Sequence, residues 1–283
     1  MLFRSHQEFG VCVFDVTLDC EDGAPVGGEH EHAHLVAELV QAADANARVA
    51  VRVHPVDHPC FHADVQTIVG RAASRLCHVM LPKVESSYDV DLVARHLRGA
   101  GGAGGVGAEI GLVALIESAL GLEHASNIAR ASPRLRSLAF GGVDLSADLG
   151  GSPDWEPMLA HRAHVVRCAA AAGLGVLDVP YLAIDDAPGL KAECERVRAM
   201  GFSGKLAIHP NQVSVIADAF MPTAAEIEFA KGVLAAAEAA GGGACTYRGK
   251  MVDEPVLRSA RRDRKSTRLN SSHSQQSRMP SSA

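Results

Sequence analysis

Short apolar runs alternate along this chain with longer stretches in which leucine, valine and alanine recur at three- and four-residue spacing. The runs predict strands at Val11–Leu18, Arg48–Val53, His78–Leu81, Ile110–Ile116, Leu135–Phe140, Leu174–Val179 and Lys205–Ile208. The periodic stretches predict helices, most clearly at Asp89–Leu97, Leu122–Ala131, Trp155–Ala172, Leu190–Met200 and Glu226–Ala239. Strands and helices in strict alternation form β-α units, and β-α units build a parallel sheet. A closed TIM-type (β/α)8 barrel needs eight strands. The first run here begins ten residues into the chain with no β-α unit before it, so the expectation is an α/β barrel lacking its first β/α unit.

The composition agrees with buried parallel strands under helices. The chain is 47% hydrophobic but only 4% aromatic, so aliphatic residues and alanine carry the core. A net charge of -6, with no block of Lys and Arg before residue 258, argues against a nucleic-acid partner. The segment Met1–Gly10 has no basic stretch leading into an apolar run, and no apolar run reaches the roughly 18 residues of a membrane span. A cytoplasmic protein with a small-molecule partner and no membrane is expected. Seven scattered cysteines without a C-x-x-C pair read as buried thiols rather than as a disulfide framework or structural zinc site. Lys265–Ala283 is rich in Ser, Arg and Gln, too polar to join a core, and reads as a disordered, non-native tail.

Charged residues fall where the predicted strands end. They are Asp19, Glu21 and Asp22 after the first strand, Arg52 on the second, Lys83 after the third, Glu117 after the fourth, Asp144 after the fifth, Asp178 on the sixth and His209 after the seventh. In a β/α barrel those ends converge on one mouth, where active sites lie. Glu117 and Asp144 follow what should be neighbouring strands, and two carboxylates with water and substrate oxygens suit Mg²⁺. The alternative is that each merely caps the following helix. Arg52, between Val51 and Val53, must meet an anion, either a substrate carboxylate or an internal partner among Glu21, Asp22 and Glu117.

Three weaker signals are read as structural. Gly102–Gly107 fits G-x-G-x-x-G, but a strand follows it where a dinucleotide site needs a helix. His30 and His34 lie one helical turn apart without the H-E-x-x-H arrangement, in a polar helix start. Lys83 suits an electrostatic role better than a Schiff base, which needs a desolvated amine.

Seven collinear segments carry a family resemblance: LDCEDG (18–23), VRVHP (51–55), LPKVES (81–86), LIES (115–118), FGGVDL (140–145), GKLAIHPNQV (204–213) and GKMVDEP (249–255). Together they resemble the citrate lyase beta-subunit-like branch of the HpcH/HpaI aldolase superfamily, which includes malyl-CoA and citramalyl-CoA lyases. The resemblance implies a barrel catalytic domain over 1–240 and a C-terminal helical extension or lid over 241–264, assembled as a homotrimer or homohexamer. It implies Mg²⁺ held by Glu117 and Asp144, a keto acid held by Arg52, and Glu21 and Asp22 as an acidic pair near the metal. Lys83 would add substrate binding, and Asp253 would be the acid/base that a neighbouring subunit contributes. Members commonly carry Asn where this chain has His54. The implied reaction is carbon–carbon cleavage, or formation, of a 3-hydroxyacyl-CoA thioester such as malyl-CoA or citramalyl-CoA, giving acetyl-CoA and a 2-keto acid. A CoA-independent 2-keto-3-deoxy acid aldolase and an inactive ligand-binding barrel are the alternatives.

Overall fold

The structure is a computed structural model, and it describes residues 14–100, 110–241 and 244–261. The glycine-rich segment 101–107 and the tail 265–283 lie outside the described residues, as does the start of the first predicted strand.

Residues Phe14–Ala219 belong to one compact unit. Among the described residues its strands are β1 (Val16–Asp19), β2 (Val49–Arg52), β3 (Leu76–Leu81), β4 (Gly111–Ile116), β5 (Leu135–Phe140), β6 (Gly175–Asp178) and β7 (Gly204–Lys205). They pair in chain order, every pair parallel. Sequential parallel order is that of a singly wound, TIM-type sheet, whereas a doubly wound sheet reverses direction partway across. Every residue of β4 is buried, as expected of a strand covered on both faces.

The connections are α1 (Glu29–Ala42), an irregular helical stretch over 61–75, α2 (Ser87–Ala100), α3 (Ala119–Ile128), α4 (Gly142–Asp148), α5 (Trp155–Ala172), α6 (Ala187–Met200) and α7 (Pro210–Phe220). Local chemistry sets their ends. The Ser118 side chain accepts from the Gly121 N–H to start α3, and Asp186 accepts from Gly189 to start α6. Gly173 and Gly201 stop α5 and α6 in the left-handed region. Among the described residues no helix is long and apolar enough to cross a membrane.

Parallel register places cross-strand partners on one face, and alternate residues of a strand share a face. Asp19, Arg52, Met80 and Val113 are aligned in this way, as are Leu115, Ala139 and Leu177. Met80, Val113, Leu115 and Ala139 pack into one cluster with Leu177 and Leu206. Asp178, one residue past Leu177, therefore points to the other face. There it is fully buried, accepting from Arg162 Nε of α5 at 2.8 Å and from Lys205 Nζ at 2.5 Å, while Lys205 also reaches Glu193 of α6 at 2.6 Å. The Arg162 guanidinium carbon lies 4.8 Å from the Trp155 ring centroid. The expectation that Asp178 joins the mouth is corrected by this alternation, and its charge instead ties two helices to the sheet.

The second unit contains the described residues from Phe220 onward. Helix α8 (Ala224–Ala239) opens with a Thr223/Glu226 capping box and buries Ala230, Val233 and Ala237 in a cluster with Val252, Leu257 and Ala260. The hairpin of β8 (Cys245–Tyr247) and β9 (Lys250–Val252) turns through Arg248 and Gly249, both at positive φ. Residues 254–261 are helical.

Asp178→Ala leaves Arg162 and Lys205 buried without their shared carboxylate, and a loss of about 3–5 kcal/mol is expected in urea unfolding. A loss under about 1 kcal/mol would contradict the clamp.

Candidate active site

Strands that all run one way bring β1–β5 to a common carboxyl end, and most of the polar residues there interact directly. Asp19, the last residue of β1, pairs in register with Arg52, the last of β2. Its carboxylate takes both arms of the guanidinium, Nε at 2.7 Å and Nη2 at 2.6 Å. Nη1 lies 2.8 Å from Glu21, and Nη2 also reaches Asp22 at 3.0 Å. Arg52 thus meets internal anions, with Asp19 the principal one. Burial would raise the Asp19 carboxyl, but the hydrogen bonds and charge of Arg52 outweigh it and hold that carboxyl below its ordinary value.

Glu21 joins this cluster to Lys83, whose Nζ stands 2.8 Å away. That pairing raises the Lys83 ammonium above its ordinary value, the opposite of what a Schiff-base lysine requires. Lys83 follows β3 at φ 47, a left-handed conformation that disfavours side chains. Its backbone N–H donates to Glu117 Oε1 at 2.8 Å.

Glu117 is the buried centre of the group, 4% exposed and one residue past β4. By alternation it lies on the face of Val113 and Leu115. Gly141, after β5, leaves room for it: a Cβ there would stand 2.7 Å from Glu117 Oε2, so only glycine fits. Burial, then the charges of Asp144 and Glu21, push the Glu117 carboxyl up to about 8, against the Lys83 hydrogen bond and the charge of Arg52. Asp144 is exposed in the first turn of α4. Neither carboxylate caps a helix, since Ser118 caps α3 and no side chain caps α4.

Two carboxylates, one of them buried and short of a compensating cation, fit a hard divalent ion that keeps several waters, as Mg²⁺ does. Glu117 and Asp144 would hold it.

The remaining predicted residues make other contacts. His34 Nδ1 is 2.8 Å from Arg71 Nη1, and His30 and His34 belong to no candidate metal cluster among the described residues. His209 Nδ1 accepts from the Asn211 N–H at 3.2 Å at the start of α7. His54 is buried, with its backbone N–H at 3.0 Å and Nδ1 at 2.6 Å from the same Asp64 oxygen. Asp253 belongs to the second unit, where its carboxylate accepts from the Val256 N–H at 3.3 Å at the start of the helix over 254–261. Asp19 is the member whose importance sequence reasoning missed; its signal was the match in position between the ends of β1 and β2.

An acidic mouth with fixed cations, at the carboxyl ends of a singly wound parallel sheet, is where α/β folds of the TIM type carry an active site. The family model described as HpcH/HpaI aldolase/citrate lyase matches residues 7–210. The chain belongs to that family, and it is a carbon–carbon lyase. It is 30% identical to an L-malyl-CoA/beta-methylmalyl-CoA lyase of Rhodobacter capsulatus over 268 residues, covering 87% of this chain and 84% of the relative. It is 31% identical to the mitochondrial citramalyl-CoA lyase of Mus musculus over 261 residues, 86% of this chain and 76% of the relative. Among solved structures, a citrate lyase of Burkholderia xenovorans LB400 superposes with TM-score 0.82 at 27% identity, covering 93% of this chain and 86% of that one. CitE of Mycobacterium tuberculosis, in complex with magnesium, acetoacetate and coenzyme A, superposes with TM-score 0.71 at 29% identity, covering 89% of each chain.

The raised Glu117 carboxyl has a stability consequence. Without a divalent cation the folded chain keeps a proton that the unfolded chain releases near pH 4.5, so this stabilisation is full below 4.5 and lost as pH rises through about 8. Glu117→Gln cannot ionise. Its stability relative to the unsubstituted chain should climb by a few kcal/mol across that window and level off above it. A difference that does not vary with pH contradicts the assignment.

Proposed function

We propose that this chain is a Mg²⁺-dependent lyase that cleaves, or forms, a 3-hydroxyacyl-CoA thioester such as malyl-CoA or citramalyl-CoA, with acetyl-CoA and a 2-keto acid as the other side of the reaction. The observation that carries the reading is the buried Glu117 carboxyl, flanked by Asp144 and Glu21 and facing Arg52 and Lys83. Relatives named as malyl-CoA and citramalyl-CoA lyases, and a neighbour bound to magnesium and coenzyme A, support it.

Bound at Glu117 and Asp144, Mg²⁺ would supply Lewis-acid polarisation of the substrate oxygens. Arg52 holds the carboxylate of the keto-acid half. Its Nε and Nη groups are already engaged, and Asp22, with a side chain 77% exposed, is the partner most readily exchanged for a substrate carboxylate. Lys83 adds positive charge where negative charge gathers. In cleavage the substrate hydroxyl gives its proton to solvent, the carbon–carbon bond breaks to leave the keto acid, and the electron pair passes to the thioester as an enolate. Protonation at the enolate carbon completes acetyl-CoA.

Asp253, supplied by a neighbouring copy in a homotrimer or homohexamer, is the acid for that last step. Asn caps a helix about as well as Asp, so Asp253→Asn separates folding from chemistry. Turnover should fall by about 10²–10⁴-fold with the melting temperature little changed; full turnover in an assembled oligomer removes the role.

The reaction itself is tested by incubating the protein with L-malyl-CoA and with citramalyl-CoA, with and without Mg²⁺, and trapping glyoxylate or pyruvate as a hydrazone. Release should require the metal and be lost in Glu117→Ala and Asp144→Ala. No release from folded, metal-loaded protein overturns the reading.

A further inference from the structure

The opposite end of the sheet carries a second cluster that the lyase reaction does not use. Asp15 immediately precedes β1 and Cys77 is the second residue of β3, so both lie at the amino ends of strands whose carboxyl ends form the mouth. Neighbouring residues of a regular strand point to opposite faces, yet Cys77 and His78 meet, with Sγ 3.4 Å from His78 Nδ1. The pairing of β2 with β3 explains this. Val49 pairs with Leu76 and Ala50 with His78, so Cys77 is the extra residue of a bulge. A bulge re-aims a side chain. Asp15 Oδ2 completes the group, 3.7 Å from Cys77 Sγ and 3.4 Å from His78 Nδ1.

These three separations can be compared with the edges of a zinc tetrahedron. Bonds of about 2.3 Å to sulfur and about 2.0 Å to nitrogen and oxygen place neighbouring ligand atoms roughly 3.3–3.6 Å apart. The triangle formed by Asp15, Cys77 and His78 has nearly those edges before any ion is added. Among the described residues it is the one group of three or more His, Cys, Asp or Glu side chains so arranged. We propose that Asp15, Cys77 and His78 bind a divalent transition ion of the zinc class, with water as the fourth ligand.

The donor set selects the ion. Thiolate and imidazole favour zinc, cobalt or copper over magnesium, so this site and the carboxylates at the mouth sort different metals. His78 Nε2 is buried with no hydrogen-bond partner, so Nδ1 is the ring atom that faces polar groups. Arg48 holds Asp15 through Nε at 2.5 Å and Nη2 at 3.0 Å, and a carboxylate so held still has lone pairs to offer. Asp15 is exposed, which gives an ion a way in. In the metal-free protein, burial and the Asp15 charge push the Cys77 thiol up to about 12, so the sulfur carries its proton. Binding replaces that S–H bond with a sulfur–metal bond and releases one proton to solvent. Cys77, expected as one of seven buried thiols, is half-buried and is then a ligand.

The test uses the whole protein, stripped with chelator and returned to saturating Mg²⁺ so that the mouth is filled. Co²⁺ is titrated while thiolate-to-metal charge-transfer absorption is followed, and Zn²⁺ affinity is measured by competition with a chromophoric chelator. One equivalent with a charge-transfer band is expected. Cys77→Ser should abolish the band and weaken Zn²⁺ by at least about tenfold. His78→Ala should weaken Zn²⁺ similarly, with circular dichroism and lyase turnover unchanged in variants that fold. No band in the unsubstituted protein, or a band that survives Cys77→Ser, overturns the proposal. Should Cys77→Ser not fold, Zn²⁺ affinity in His78→Ala decides the matter, and an unchanged value overturns the proposal.

Discussion

Five carboxylates and two cations share the carboxyl ends of β1–β5. Asp19, Glu21, Asp22, Glu117 and Asp144 stand against Arg52 and Lys83, an excess of three negative charges when all are ionised. Burial weighs hardest on the member with least access to water, and the repulsion of the like charges around it adds to that cost. That member is Glu117, which responds by holding a proton. A divalent cation held there, as proposed, would relieve that repulsion and leave Glu117 ionised, so the demand for metal follows from the arrangement of the protein's own groups. The site is poised for a ligand at the expense of the unliganded fold, as functional sites commonly are.

The period of the strand decides which charges do which work. Asp19, Arg52 and Glu117 lie on one face of the sheet and meet at the mouth. Asp178, shifted by one residue from that pattern, turns its carboxylate to Arg162 and Lys205 and holds helices in place. At the amino end a single inserted residue, Cys77, breaks the period and brings two adjacent side chains together. One alternation thus separates chemistry from scaffolding, and a local break in β3 creates a further cluster.

Much of this was legible in the chain. The strand at Leu135–Phe140 and the helix at Trp155–Ala172 have the predicted bounds, because an unbroken apolar run and a long periodic stretch are signals that tertiary packing reinforces. β7 is only Gly204–Lys205 where a longer strand was predicted, since the pairing with β6 ends at the bond from the Leu206 N–H to the Asp178 carbonyl at 2.9 Å. Helix α4 and the irregular helices over 61–75 have too few turns to show a period. The hairpin at 245–252 was hidden because Arg248 at positive φ is not a residue that advertises a turn. At the mouth, residue type and strand ends were enough to gather Arg52, Glu21, Asp22, Lys83 and Glu117. They did not reveal Asp19 as the anchor of Arg52, nor exclude Asp178, because both depend on register. The role proposed for Asp253 would depend on a neighbouring copy, which a single chain does not display.

The central claim is that Glu117 waits for a divalent cation with a proton in its place. The direct measurement is the number of protons released per Mn²⁺ or Mg²⁺ bound, obtained by calorimetry in buffers of different ionisation enthalpy across the pH range. Release should approach one proton well below about pH 8, fall to none well above it, and disappear in Glu117→Gln. Metal binding that releases no proton at any pH, or the same release in Glu117→Gln, would contradict the account.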